Sequence, residues 1–205
     1  MYTLYYHPYS QHARRVISLL EEAGLDYHLK KVQMDKGEHH SDAFLALNPN
    51  HQIPVLLDGD LVLTESNAIL RYLANKHQLN QWYPDTPVER AQVDQWLDWN
   101  QCRLATPVVQ IVMNQVFLGE KGDLAAIEKG LQALPELWAI LARHLDGRAY
   151  LTGAEPRLAD LSIASNLVQL GLAQIVPESP VIQEWYQRVL TLKGVQKSLP
   201  QALVA

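Results

Sequence analysis

The fold is decided by residues 1–33, which read MYTLYYHPYSQHARRVISLLEEAGLDYHLKKVQ. The aromatic-rich run Tyr2–Tyr6 predicts a strand. Apolar side chains then recur at the spacing of a helix: Ala13, Val16, Ile17, Leu20 and Ala23. Gly24 stands where the cap of that helix belongs, and Tyr27–Gln33 predicts a second strand. We therefore expect a βαβ unit with parallel strands and a right-handed crossover.

The following segment predicts a hairpin and further helices. Ser41 can cap a short helix that ends before Asn48-Pro49. An Asp-Gly pair separates the apolar runs Ile53–Leu57 and Leu61–Leu63, which is typical of two antiparallel strands. A helix with one apolar face comes next: Ala68, Ile69, Tyr72 and Leu73. The order βαβαββα predicts a mixed sheet of four strands with helices packed against it.

The pattern changes near residue 80, after which only helical periodicity is visible. Residues 80–87 hold two prolines and a Trp-Tyr pair and are the best linker candidate. The clearest amphipathic stripe follows a 3-4-3-4 spacing: Leu124, Ile127, Leu131, Leu134, Trp138, Leu141 and Leu145. We expect Pro107 to bend or end the first long helix, and Pro135 to kink this one. The prediction is an α/β domain over residues 1–79 and an all-α bundle over residues 88–205.

Composition and charge exclude several classes of protein. The 205 residues are 48% hydrophobic, which can support a globular core. The 17 Lys+Arg and 22 Asp+Glu give a net charge of −5 and are scattered, which argues against a nucleic-acid surface. No apolar run has the roughly 20 residues of a membrane helix, and we expect no signal peptide. Cys102 is the only cysteine, so an intramolecular disulfide is excluded and a reducing, cytoplasmic compartment is expected.

Ser10 lies between the first strand and the first helix, and its position allows two roles. A serine there commonly caps the helix. The helix N-terminus also presents free N–H groups and partial positive charge, so a hydroxyl at this point can donate a hydrogen bond to a ligand thiolate. Lowering a thiol pKa by two units requires about 2.7 kcal/mol, which such a bond and the helix terminus can supply. The local sequence alone favours capping.

Two further segments have a structural and a functional interpretation. Ile53-Pro54 is either an ordinary strand start or an exposed edge at which the Ile53 backbone pairs with an extended peptide ligand. Glu65 and Ser66 open the third helix, either as a favourable first turn or as a cradle for a carboxylate and its neighbouring ammonium group. A peptide ligand that carries both groups would suit this second interpretation.

Three histidines, His39, His40 and His51, first suggest a metal site. Two of them are adjacent, which does not match common helical ligand spacing, and no second cysteine is present. We therefore expect no metal. Contact with a carboxylate, or simple solvation in a loop, is the interpretation that the pattern favours.

Together these segments resemble the cytosolic glutathione transferase superfamily, along nearly the whole chain. YYHPYSQHARRV at residues 5–16 is similar to its serine-type theta and delta classes and their bacterial-style members, and so are Gly37-Glu38-His39 and NPNHQIP at residues 48–54. Thr64-Glu65-Ser66 completes the pattern of a glutathione site. The resemblance implies a thioredoxin-like α/β domain (βαβαββα) followed by an all-α helical bundle domain, and a homodimer.

The resemblance also implies a role for each matching residue. Ser10 would hydrogen-bond to the glutathione thiolate and activate it, and Tyr6, which matches the tyrosine of other classes, is the runner-up. Ile53, before a cis Pro54, would pair its backbone with the cysteinyl unit of glutathione.

The two ends of glutathione would be held by other residues. His39 and His51 would contact the glycine carboxylate, with Gln52 nearby, while Glu65 and Ser66 would hold the γ-glutamyl end. The electrophile would lie against the first helix of the second domain, around four side chains: Trp99, Arg103, Thr106 and Gln110.

Three positions depart from the family pattern. Arg157 stands where a Ser or Thr commonly begins a capping box, so only its Asp160 half remains. Gln52 replaces a lysine found in many relatives, and Asn67 replaces the arginine of delta-class members. The first departure puts the reciprocal cap in doubt, and the second weakens a charge contact to glutathione.

The implied function is a glutathione transferase of detoxification, which uses glutathione as co-substrate and attacks a hydrophobic electrophile without a metal. A glutathione-dependent peroxidase, dehalogenase or isomerase is a related alternative. A non-catalytic relative that acts in stress or regulatory interactions belongs to another class. The presence of Ser10, Glu65, Ser66 and Ile53-Pro54 argues against this last alternative.

Overall fold

The computed structural model of the protein describes residues 1–200, and its first half is a mixed sheet with flanking helices. The elements are β1 Tyr2–Tyr6, α1 Gln11–Glu22, β2 Tyr27–Lys31, α2 Asp42–Leu45, β3 Val55–Asp58, β4 Leu61–Leu63 and α3 Ser66–Lys76. The strand order is β2-β1-β3-β4. β1 is parallel to β2 and antiparallel to β3, which is antiparallel to β4. The predicted βαβαββα order and hairpin are confirmed.

Two strands are shorter than the sequence predicts. β2 ends at Lys31 rather than Gln33, because the chain then enters a 3-10 turn. β3 begins at Val55 rather than Ile53, since Pro54 has no N–H to donate to the ladder.

Over the described residues of the second half, the regular elements are all helices, and one isolated β-bridge joins Tyr150 and Gly153. Its helices are α4 Pro87–Trp99, α5 Ala105–Val112, α6 Leu124–Leu145, α7 Leu158–Leu172, α8 Pro180–Leu190 and α9 Lys193–Ser198. Two π-helical turns, Asn100–Leu104 and Met113–Phe117, flank α5. Pro107 lies within α5 and Pro135 within α6, so neither proline ends its helix. No helix within residues 1–200 has the length and apolar content to cross a bilayer.

One large core joins both halves. Every side chain from Leu158 to Leu170 of α7 is buried, and this helix packs on α1 and α4. Trp82 and Tyr83 of the predicted linker are buried in the same core. The boundaries at 79/80 and 87/88 stay a prediction, and residues 201–205 of the predicted second domain lie outside the described part.

The amphipathic stripe of α6 is only partly in the core. Leu134, Leu141 and Leu145 are buried, whereas the side chains of Leu124 and Leu131 are 79% and 42% exposed. The apolar stripe is therefore buried over only part of its length. The spacing of apolar residues predicts which face of a helix is apolar, but it does not predict which part of that face other elements cover.

Candidate functional site

Ser10 forms the N-cap of α1. Its Oγ accepts a hydrogen bond from the Ala13 N–H at 3.2 Å. Because a hydroxyl carries a proton as well as acceptor lone pairs, the O–H of Ser10 can still donate to a ligand anion. The first turn of α1 contains no acidic residue, so the partial positive charge of its N-terminus is not neutralised there. Capping and thiolate binding are therefore compatible roles for one side chain.

Tyr6, the alternative activator, lies at the end of β1. Its ring packs against the large core that also contains Tyr2 and Leu4. Ser10, in contrast, stands at the helix terminus itself. The positive potential at the N-terminus of α1 therefore favours Ser10 over Tyr6 as the residue that binds a thiolate.

The turn before β3 is held by Asn48, whose side chain is buried. Its Nδ2 donates to the Gln52 carbonyl at 2.8 Å, and its Oδ1 accepts from the Asn50 N–H at 3.0 Å. The Ile53-Pro54 peptide bond is cis. Within residues 1–200, no hydrogen bond uses the backbone N–H or C=O of Ile53. Both groups can therefore pair with an extended ligand.

Glu65 and Ser66 begin α3 in an unusual conformation. Glu65 has φ +63, a value that residues other than glycine adopt rarely. Its side chain makes no capping hydrogen bond, so its carboxylate does not serve to hold the helix. Ser66 is buried as the first residue of α3. Strained backbone of this kind occurs where the surrounding fold enforces it, and often at binding sites.

One cleft is lined by residues from all three segments: His12, Asn48, Gln52, Ile53, Pro54, Glu65, Ser66 and Gln101. The sequence had not indicated His12, Asn48 or Gln101 as site residues. Burial, together with Arg15 and Arg14, lowers the pKa of His12 to about 3, so its imidazole is neutral. Ser10 itself does not line the cleft; it is the N-cap of α1, two residues before His12, which does. The cleft thus lies where α1 and α3 begin, and such helix ends favour anions.

The three histidines form a cluster outside this cleft. The ring centroids of His39 and His40 are 4.0 Å apart, and those of His40 and His51 are 5.0 Å apart. The Nδ1 atom of His39 is buried without a partner. Burial, then repulsion by His40 and His51, lowers the pKa of His39. In the described part of the chain, no set of three or more His, Cys, Asp or Glu side chains has an arrangement that could hold a metal ion.

The four predicted electrophile residues are distributed over α4, the π-helical turn Asn100–Leu104 and α5. Trp99 lines a separate cavity of about 370 Å³ between α4 and α6, together with Gln95, Trp96, Ile140, Arg143, His144 and Arg148. Neither this cavity nor the cleft is lined by Arg103, Thr106 or Gln110. The larger cavity contains none of the predicted glutathione residues, so the smaller cleft is the candidate site.

A different apolar surface adjoins Ser10. Tyr9 directly precedes Ser10, and its ring centroid is 5.8 Å from that of Phe117. Phe117 belongs to a run of partly exposed apolar side chains at the end of the α5 segment: Val109, Met113, Val116, Phe117 and Leu118. Their exposure next to the Ser10 loop, which the sequence does not reveal, makes this surface accessible to an apolar molecule.

Comparison with known proteins identifies the family. The family model "Glutathione S-transferase, N-terminal domain" matches residues 1–75, and "Glutathione S-transferase, C-terminal domain" matches residues 125–188. Glutathione S-transferase theta-1 of Bos taurus is 35% identical over 205 residues, which cover 93% of this chain and 83% of that protein. The chain belongs to the glutathione S-transferase family.

Further matches agree with this membership. Glutathione S-transferase GstB of Escherichia coli K12 is 34% identical over 203 residues, 96% of this chain and 97% of that protein. A solved structure of a human glutathione S-transferase in its apo form has a TM-score of 0.88 and 32% identity, and the match covers 97% of this chain and 87% of that one. The predicted resemblance and fold class are confirmed. As a glutathione S-transferase, the protein is an enzyme of the glutathione transferase type.

Proposed function

We propose that this glutathione S-transferase activates glutathione through Ser10. A free thiol with a pKa of about 8.5 is only a few per cent ionised at neutral pH. The O–H of Ser10 donates to the thiolate while its Oγ keeps the bond from Ala13 at 3.2 Å. The N-terminus of α1 adds favourable potential for the negative sulfur. This cap geometry is the observation that carries the proposal.

The reaction proceeds by attack of the thiolate on an electrophilic carbon. A C–S bond forms while the leaving group departs with its electron pair, and the thiol proton passes to solvent. The protein contributes binding, thiolate stabilisation and proximity. Metal chemistry is not part of this mechanism.

The residues that line the candidate cleft would contact the first two units of glutathione. The free backbone groups of Ile53 pair with the cysteinyl unit as an added strand would. Ser66 and the N-terminus of α3 bind the γ-glutamyl carboxylate, and Glu65, whose carboxylate holds no helix, binds the adjacent ammonium.

The glycine end of glutathione lies at the histidine cluster. His39 offers a buried ring nitrogen that lacks a protein partner. His51 belongs to the same cluster, and Gln52 joins it to the cleft. A carboxylate that accepts from these rings satisfies the unpartnered nitrogen of His39.

The electrophile binds beside the thiolate, on the surface that Tyr9 and Phe117 form. Thr106, Gln110 and Met113 lie on the same helical segment as Phe117. Two residues that the sequence placed in this site lie earlier in the chain: Trp99 is the last residue of α4 and lines the separate cavity, and Arg103 lies in the first π-helical turn. An apolar or aromatic electrophile fits the exposed side chains of this surface.

We further propose a cytoplasmic homodimer that acts in detoxification. The edge strand β4 exposes Leu61 and Val62, which supports an association surface on this side. The single cysteine suits a reducing compartment. Sedimentation of the purified protein measures the oligomeric state, and a monomer at micromolar concentration contradicts the dimer.

The decisive test compares Ser10→Ala with Ser41→Ala. Ser41 caps α2 through the Phe44 N–H at 3.3 Å, so Ser41→Ala is a matched cap deletion without a thiol role. Each variant should lose about 1 kcal/mol of stability. Only Ser10→Ala should raise the pKa of bound thiol, by about one to two units for a hydrogen bond to a charged group. The measurements are retention on glutathione-agarose and the ultraviolet absorbance of the thiolate against pH.

Two outcomes contradict the proposal. If the wild-type protein binds no glutathione, the proposed catalytic function is wrong and a non-catalytic role is left. Normal thiolate formation in Ser10→Ala, with loss in Tyr6→Phe, assigns activation to Tyr6. A panel of halogenated, epoxide and peroxide substrates then separates conjugation from dehalogenase and peroxidase activity.

A further inference from the structure

Two buried arginines stand next to each other on α1, one turn after Ser10. Arg14 and Arg15 are 2% and 0% exposed. Within residues 1–200, the ion pairs of the structure involve neither of them. A buried cation ordinarily has a carboxylate partner, because isolated charge is poorly solvated inside a protein. We therefore expect an anion near Arg14 and Arg15 that compensates their positive charge.

Arg14 contacts only neutral acceptors on α7. Its Nη1 donates to the Ser165 carbonyl at 3.1 Å, and both Nη atoms donate to Gln169 Oε1 at 3.3 Å. Its Nε has no partner. An amide therefore occupies the position in which a carboxylate would form a paired contact with the guanidinium.

Arg15 likewise contacts only amides. Its Nη1 donates to Asn67 Oδ1 at 3.2 Å and its Nη2 to Asn166 Oδ1 at 3.5 Å. Asn67 directly follows Ser66, at the start of α3. The guanidinium of Arg15 therefore contacts the residue that follows Ser66, which is proposed to bind the γ-glutamyl carboxylate.

Three titratable groups on α1, α7 and α8 do not compensate this pair. Asp160, the buried carboxylate of α7, is held instead by Leu151, Arg157 and Trp185. Tyr186 of α8 is the titratable group that acts on Arg14, and it is a phenol with its pKa raised to about 12 by burial. His12 is neutral.

Both arginines remain cationic near neutral pH. Burial lowers the pKa of Arg14 to about 10, and burial with repulsion by Arg14 lowers that of Arg15 to about 9. Two unit charges therefore persist within a turn or so of the N-terminus of α1. The ends of α1 and α3 lie at the same cleft.

We propose that bound glutathione is the counter-charge of Arg14 and Arg15, which act as positioning residues that stabilise its thiolate and its γ-glutamyl carboxylate from behind the helix ends. This inference rests on the proposed glutathione site. Neither guanidinium touches the ligand; each acts through its field and through α1 and Asn67. The protein thus holds an uncompensated positive potential that an anionic ligand neutralises.

Gln169→Glu tests this inference because it supplies the missing carboxylate to Arg14 with almost no change in shape. Gln187→Glu is the matched control, since it adds the same charge on the exposed side of α8. Gln169→Glu should raise the pKa of bound thiol by about half to one unit, because the added negative charge beside Arg14 reduces the positive potential at the thiolate. The glutathione Kd should rise about 3- to 10-fold, and the ligand-free protein should melt at a higher temperature.

The outcomes separate this inference from the proposed function. Thiolate absorbance against pH, calorimetric titration with glutathione and thermal unfolding are measured on wild type and both variants. If Gln169→Glu is stabilised but matches Gln187→Glu in thiol pKa and Kd, the arginines are purely structural and the inference is wrong. If Gln169→Glu is destabilised or does not fold, the cations are already compensated and the inference is also wrong. If wild type and Gln187→Glu bind no glutathione, the proposed function itself fails.

Discussion

Asp160 tests how the start of α7 is held in the core. Its side chain is fully buried. Its Oδ1 accepts from the Leu151 N–H at 3.0 Å and from Trp185 Nε1 at 2.8 Å, and its Oδ2 accepts from the Arg157 N–H at 2.8 Å. Asp160→Ala leaves three donors without an acceptor, at about 1–3 kcal/mol each. We expect a loss of at least about 3 kcal/mol, a large part of the roughly 5–15 kcal/mol of a typical protein.

The ionisation of Asp160 gives this prediction a pH signature. Burial raises the pKa of Asp160 to about 6, whereas an aspartate in the unfolded chain has a pKa of about 3.9. The native state therefore binds this proton more tightly than the unfolded state. The contribution of Asp160 to the free energy of unfolding is full below about pH 4 and is lost as pH rises through about 6. Two pKa units correspond to about 3 kcal/mol.

Asp160→Asn isolates this term because an amide does not titrate. Its Oδ1 can still accept from Leu151 and Trp185, but its Nδ2 cannot accept from Arg157. Urea unfolding at several values between about pH 4 and pH 7 should show wild type losing about 2 kcal/mol relative to Asp160→Asn. Other titrating groups cancel in this difference. A difference that stays constant over this range refutes the reasoning, and so does an Asp160→Ala variant that is as stable as Asp160→Asn at pH 7.

Three further predictions concern the site and the packing. Glu65→Gln should weaken glutathione binding about tenfold in calorimetry, which is the effect of one lost charge-assisted hydrogen bond. Urea unfolding should be unchanged because the Glu65 side chain makes no capping hydrogen bond. An unchanged affinity for glutathione would show that Glu65 is not part of the site. Phe117→Ala should lower kcat/KM for an aromatic electrophile about 3- to 10-fold while the KM for glutathione stays constant. Trp99→Ala, in the other cavity, should leave both parameters near wild type, and the reverse pattern contradicts the placement of the electrophile. Gly194→Ala should cost about 1–3 kcal/mol in thermal unfolding, because the added Cβ would lie 2.2 Å from the Ser18 carbonyl; wild-type stability means that α9 can move away.

The sheet and the helix starts could be predicted from the sequence because their signals are local. An Asp-Gly pair defines the hairpin of β3 and β4, and Ser10 and Ser41 cap the helices that follow them. The same locality explains why candidate residues at helix starts were found. Asn48 and Gln101 carry no such local signal: Asn48 lines the cleft through the turn that it holds, and Gln101 reaches it from the second half of the chain.

The four predicted electrophile residues do not all lie on one regular α-helix. Trp99, Arg103, Thr106 and Gln110 share one face only if the helix keeps 3.6 residues per turn. The turn Asn100–Leu104 is π-helical, and its wider i→i+5 geometry rotates everything after it relative to Trp99. Nothing in the composition of that stretch indicates a π turn, so the spacing of the residues does not predict this rotation.

The departures from the family pattern illustrate why single positions mislead. Arg157 has no side-chain acceptor with which to complete a capping box. Its guanidinium instead donates to the carbonyls of Asn80 and Gln81, and so connects the start of α7 to the segment before α4. The side chain of a serine is too short to make these contacts. Asn67 lacks the positive charge of delta-class members, yet it accepts from Arg15 at 3.2 Å, so that α1 brings a cation to the same place. A charge that one element loses can be supplied by its neighbour in space. The charge at a site therefore has to be counted over contacts and not over sequence positions.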